Sequence, residues 1–150
     1  MDTDAQVVTQ IVEEMLAKIE IAGSVSVSID ETGAFRVGVG TEETGLLIGH
    51  HGKTLESMQL IVGIIVSKKL GRWVKVYVNI GDYREKREEA LMHMAQHAAD
   101  RALALGRPVE LTRLSPAERR IIHVTLSGDE RVATESLGEG DSRVLVVKPK

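Results

Sequence analysis

The chain has no cysteine, only three prolines, and four aromatic residues in 150: Phe35, Trp73, Tyr77 and Tyr83. Without cysteine there are no disulfides, no thiolate metal sites and no cysteine nucleophile. With so few aromatics, the core has to rest on Val, Ile, Leu, Ala and Met. No apolar run approaches the roughly 20 residues of a membrane span. The opening Met1-Asp2-Thr3-Asp4 is acidic, the wrong sign for a secretory signal. These lacks predict a reduced, cytoplasmic protein. With 43% hydrophobic residues, the chain can nevertheless bury a core.

The formal net charge is −3, which argues against a protein that coats nucleic acid indiscriminately. Its distribution says more. Residues 1–40 carry seven acids and two bases, residues 41–80 three acids and five bases, and residues 81–150 twelve of each. A site for a polyanion is therefore expected to be local.

Apolar residues Val7, Val8, Ile11, Val12, Met15, Leu16 and Ile19 fall on one stripe and predict a helix over 4–20. Ser24 to Asp30 alternates strictly, as a half-buried strand does. A turn through Gly33 leads to a second alternating run with Phe35, Val37 and Val39, so the two form a hairpin. A short helix within 43–52, broken by glycines, precedes a longer one over about 53–70 with Leu55, Met58, Ile61, Val62, Ile65 and Val66 inward. Val74, Val76, Val78 and Ile80 alternate in a strand from Trp73, whose ring could stack a base but is expected in the core. This α-β-β-α-α-β unit closes at Gly81. Beyond it come a helix over 82–105, with Ala90, Leu91, Met94, Ala95 and Ala98 inward, and a short strand at Val109 and Leu111. The helix that follows has a capping box, Ser115-Pro116-Ala117-Glu118. Strands over 131–137 and 143–148 end the chain. The fold class expected is α+β, with domains at 1–81 and 82–150.

The segment Ile48-Gly49-His50-His51-Gly52-Lys53 has two glycines three apart at a helix start. Lacking Cβ atoms, they let a phosphodiester approach the backbone, and a helix N-terminus with Lys53 favours an anion. A nucleotide-binding P-loop would need glycine at 47, where Leu47 stands, and a dinucleotide fingerprint would need one at 43, where Glu43 stands. A plain helix–turn–helix bend is the remaining alternative. On the capped helix, Arg119 and His123 are four apart and share a face, with Arg120 beside them. Arg119 can fork onto a phosphate and His123 can hydrogen-bond or stack; an ordinary solvated face is the alternative.

In context these motifs resemble known modules. The first unit is similar to a type II KH domain, whose Gly-x-x-Gly loop clamps about four nucleotides of backbone. By that likeness Ile48, Gly49, His50, His51, Gly52 and Lys53 are binding residues, and the groove beside them is lined by Ile48, Leu55 and the second strand. Pro116 to His123, with 134–140 and 146–150, resembles the R-three-H domain, a small α/β module with a three-stranded sheet that binds single-stranded nucleic acid. There the binding residues would be Arg119, Arg120 and His123. The order of the two, with Asp82-Tyr83-Arg84-Glu85-Lys86-Arg87 between, resembles the bacterial Jag family, also called KhpB. The resemblance implies a non-enzymatic, post-transcriptional regulator that binds single-stranded RNA or DNA, linked to cell shape or division. A small single-KH protein is the implied partner. The extra N-terminal domain of many members is expected to be lacking. Histidines stand where related loops often carry Arg or Lys, so binding is expected to tighten as pH falls from 7.5 toward 6.

His93 and His97 sit at i and i+4, but no third ligand accompanies them, so neither metal nor cofactor is expected. Arg84, Lys86 and Arg87 read as i,i+4 pairing on an exposed helix. No paired carboxylates or Ser/His/Asp set suggests catalysis. The competing expectation is a KH-fold scaffold for proteins, with nucleic-acid binding incidental.

Overall fold

The computed structural model describes residues 2–150. It divides into two compact units, one running to Arg84 and the other covering Glu85–Lys150.

The first unit is built from α1 (Asp2–Lys18), β1 (Ser24–Ile29), β2 (Phe35–Gly40), α2 (Thr44–Ile48), a 3-10 turn (His50–Gly52), α3 (Lys53–Leu70) and β3 (Val76–Ile80). The strands lie in the order β1-β2-β3, with β1 antiparallel and β3 parallel to β2. This is the αββααβ order that the sequence predicts. The strict Ser/Val alternation of β1 leaves its serines exposed and half-buries Val25 and Val27. Asp30 shapes the hairpin turn: one carboxylate oxygen accepts from the Thr32 N–H at 2.9 Å and the Ala34 N–H at 3.1 Å, the other from Arg36 Nε at 2.8 Å. Val8, Val12 and Leu16 of α1, with Leu55, Met58, Val62 and Val66 of α3, meet the inward side chains of β2 and β3 in one core.

Three expectations differ. Leu55, Met58, Val62 and Val66 recur at helical spacing, and Ile61 sits about 100° around the helix from that line, leaving it exposed. Trp73 precedes the strand and is 77% exposed rather than core, because its neighbour Val74 takes the inward place. Leu55 is 1% exposed, so it supports the core and lines no groove.

The second unit holds most of α4 (Tyr83–Leu105), then β4 (Val109–Leu111), α5 (Pro116–Leu126), β5 (Val132–Leu137) and β6 (Val144–Pro149). Its sheet runs β4-β6-β5, antiparallel throughout, with β6 in the middle. A seam of Leu91, Ala95, Ala98, Ala99 and Ala102 packs α4 into the core with Ile122, Leu126, Leu145 and Val147. Ala90 lies off that seam and is exposed. The capping box of α5 forms as the sequence predicts: Ser115 Oγ accepts from the Glu118 N–H, and Glu118 Oε1 accepts from the Ser115 N–H, each at 3.1 Å.

The reading of Arg84 and Arg87 as solvated surface pairs is corrected. Within the first unit, Arg84 Nε donates to the Val78 carbonyl at 2.8 Å and its Nη2 to Gln59 Oε1 at 2.7 Å. Within the second, Arg87 Nε donates to Glu118 Oε2 at 2.6 Å, and both side chains are largely buried.

Candidate nucleic-acid interface

In the loop of the first unit, Gly49 has φ 70°, His51 φ 53° and Gly52 φ 81°. Positive φ strains residues with a Cβ, so glycine is favoured at both ends. Packing adds a second demand. A Cβ on Gly49 would collide with Thr54 Oγ1, and one on Gly52 would lie 3.1 Å from the Tyr83 ring. The glycines are thus required from the inside of the turn as much as by anything approaching from outside. Ile48 is half-buried against the core, while His50, His51 and Lys53 are exposed. The two imidazoles lie 3.9 Å apart, tilted by 31°. No side chain caps the start of α3, where the Lys53 backbone N–H donates to the His50 carbonyl.

Beside α3, past its first turn, lies a groove of about 290 Å³. Glu56, Gln59, Leu60, Gly63 and Ile64 form one wall, and the stretch from Trp73 to Tyr77 forms the other. β3 is an edge strand, and the parallel pairing with β2 turns the backbone groups of Val76 and Val78 outward, with Val74 two residues ahead of Val76. Two of these positions are closed. Ser67 Oγ accepts from the Val74 N–H at 3.2 Å, and Gln59 Oε1 accepts from the Val78 N–H at 3.0 Å while Arg84 takes the Val78 carbonyl. Val76, between them, turns its N–H and C=O into the groove.

In the second unit, Arg119, Arg120 and His123 share an open cleft of about 390 Å³ with Thr134 and Ser136 of β5 and Arg143 at the start of β6. Arg119 is half-buried and donates from Nη1 to the Leu114 carbonyl at 2.7 Å, which aims the guanidinium. Arg120 and His123 are exposed. His123 Nδ1 is hydrogen-bonded to Thr134 Oγ1 at 2.5 Å, which orients the ring and leaves Nε2 for a ligand. Glu135 also lines the cleft and is paired with Lys148 at 3.1 Å. Three guanidinium groups, an imidazole and two hydroxyls suit an oxyanion.

The loop residues Ile48 to Lys53 are therefore contiguous, and the trio on α5 does converge on one concavity. Sequence reasoning missed Arg143, Thr134 and Ser136. It would have found Arg143 had the hairpin register been fixed, since Leu137 pairs with Val144. It also missed Gln59, Gly63 and Val76, and it weighed Trp73 as a base-stacking residue but set that aside for the core. His93 and His97 are exposed, and no group of three or more metal-ligating side chains occurs among the described residues. Among those residues, no helix is long and apolar enough to cross a membrane.

Residues 5–80 match the family model for the KhpA/KhpB KH domain, and residues 89–149 match that for the R-three-H domain. The chain is 33% identical over 142 residues to RNA-binding protein KhpB of Clostridium symbiosum, covering 94% of this chain and 64% of that one. It is 35% identical over 133 residues to RNA-binding protein KhpB of Bacillus subtilis (strain 168), covering 87% and 64%. To the protein of that name in Streptococcus pneumoniae serotype 2 it is 37% identical over 109 residues, 73% of this chain and 33% of the relative. The chain thus spans 64% of the length of the first two relatives.

Proposed function

Since this chain belongs to the KhpB family, carrying a KH domain of the KhpA/KhpB type followed by an R-three-H domain, we propose that it binds single-stranded RNA without catalysing a reaction. The functional domains are taken as residues 1–81 and 82–150. One site is the loop Ile48 to Lys53 with the groove along α3. The other is the cleft holding Arg119, Arg120 and His123. The observation that carries the reading is the turn before α3, which exposes His50, His51 and Lys53 and has no side-chain cap, together with a groove beside the same helix where one edge-strand residue, Val76, offers a donor and an acceptor. The turn supplies contacts to the sugar–phosphate chain, and the groove gives the bases a place to lie. In the cleft, Arg119 and Arg143 take phosphate oxygens. Single-stranded DNA would meet the same groups.

The family further suggests a cytoplasmic post-transcriptional regulator tied to cell shape or division, pairing with a small single-KH protein. The test is fluorescence anisotropy of a labelled single-stranded RNA across a salt series. Wild type should show affinity falling linearly on a log–log plot, with a slope near −0.7 for each phosphate neutralised. Lys53→Glu and Arg143→Ala, both on exposed residues, should each weaken binding and flatten the slope by roughly one contact. Absence of binding, or binding with no salt slope, would leave the scaffold reading in its place.

A further inference from the structure

We infer that Trp73 is a stacking platform for a nucleobase and that Gly63 opposite it keeps the slot open, so that these two residues select what the groove accepts. This rests on the RNA-binding reading above and deepens it. Trp73 is the chain's only tryptophan and is 77% exposed, although a large indole left in water forgoes considerable burial. It lines the same groove as Gly63, Leu60 and Ile64.

Gly63 lies in the interior of α3, where glycine weakens a helix relative to alanine. Nothing within the described structure requires it there: its φ is not positive, and a Cβ would meet no atom within 4 Å. A side chain at 63 would project into open groove. The glycine thus removes bulk from a wall whose opposite side presents a flat aromatic, leaving a gap suited to another flat ring.

Charge and backbone make a base the fitting occupant. Val76 turns its N–H and C=O into this groove, a donor and acceptor able to meet a base edge. Lys75 lines it, and Lys53 stands at the start of α3, the helix that forms one wall. A stacked base gains from the indole face whatever its identity, and a purine, with the larger ring system, gains more.

The sole tryptophan makes the test direct. Intrinsic emission is followed while wild type is titrated with single-stranded oligoadenylate and oligouridylate octamers. Emission should change saturably, and oligoadenylate should bind tighter. Trp73→Ala should lose about 5- to 100-fold in affinity, as expected for one stacked base, and Trp73→Phe should recover part of it. Gly63→Ala should raise the melting temperature yet weaken RNA binding, opposite signs that a purely structural glycine would not give. If Trp73→Ala binds as wild type and emission is indifferent to RNA, while Lys53→Glu still weakens binding, the stacking role falls and the RNA-binding reading stands. If wild type binds neither octamer, the underlying reading fails and takes this one with it. If Trp73→Ala changes only the sedimentation of the protein and not its RNA affinity, the patch is a protein interface and the inference is overturned.

Discussion

Replacing Glu118 by alanine tests how the second cleft is held. Glu118 is 8% exposed, and its two oxygens do separate jobs. Oε1 accepts from the Ser115 N–H at 3.1 Å to complete the helix cap, while Oε2 accepts from Arg87 Nε at 2.6 Å. Arg87 is already short of partners: its Nη2 is buried with no hydrogen bond among the described residues. Removing the carboxylate would strand a guanidinium whose side chain is only 16% exposed. Breaking one side of such a buried pair costs about 3–5 kcal/mol, of which the lost cap accounts for roughly 1. For a domain of this size that corresponds to a fall in melting temperature on the order of 12 °C or more. Differential scanning calorimetry and urea denaturation would read it. The double variant Arg87→Met/Glu118→Gln removes the stranded charge and keeps an acceptor for the cap, so it should recover most of the loss. A cost below about 1 kcal/mol for Glu118→Ala, or no recovery in the double variant, would refute this account.

Three further outcomes are expected. Gly49→Ala should destabilise the first unit by more than about 1 kcal/mol, because it combines a positive φ with a collision at the Thr54 hydroxyl; thermal melts of the single variant and of Gly49→Ala/Thr54→Ala separate the two causes. Asp30 has its pKa lowered from 3.8 to about 2, chiefly by the Thr32 hydroxyl and also by Arg36 and backbone N–H groups. Its folded form holds its proton less tightly than the unfolded chain, so this contribution is full above about pH 4 and is lost as pH falls toward 2; Asp30→Asn should flatten that limb of an acid-denaturation curve. RNA affinity should rise several-fold from pH 7.5 to 6, and the double variant His50→Gln/His51→Gln should show a flat profile in the same anisotropy titration.

What could be read from the sequence was local. The start of α5 needs only Ser115, Pro116 and Glu118, and its cap forms within those residues. The β1 strand follows from an alternation that no other element has to confirm. The features that escaped depend on partners far along the chain. Arg87 reads as a surface charge beside Glu88 and Glu89, yet its acid lies 31 residues on, at Glu118. Arg84 looks alike and instead closes the edge of β3 through Gln59. Trp73 looks like core because aromatics are scarce, but Val74 takes the inward place that alternation allots to one of two neighbours. The need for Gly52 comes partly from Tyr83, which the spacing of the loop cannot reveal.

The same division of labour explains how a chain of net charge −3 can be suited to a polyanion. Several of its bases are committed to internal work: Arg36 to Asp30, Arg72 to Asp4, Arg87 to Glu118, Arg131 to Asp129 and Lys148 to Glu135. Those pairings shape a turn, brace α1 and steady α5, and they hold acids and bases together where a phosphate would gain nothing. Lys53, Arg120 and Arg143 form no such pair among the described residues, and they border the loop and the cleft. Net charge is therefore a poor guide to either site, because a phosphate responds to the groups near it and not to the sum over the chain. A phosphate would meet Lys53 at the loop, and in the cleft Arg120 and Arg143 beside Arg119, with Glu135 held by Lys148. The consequence is a modest salt slope set by a few contacts, in contrast to the steep one of a protein that coats nucleic acid through an unbroken basic face.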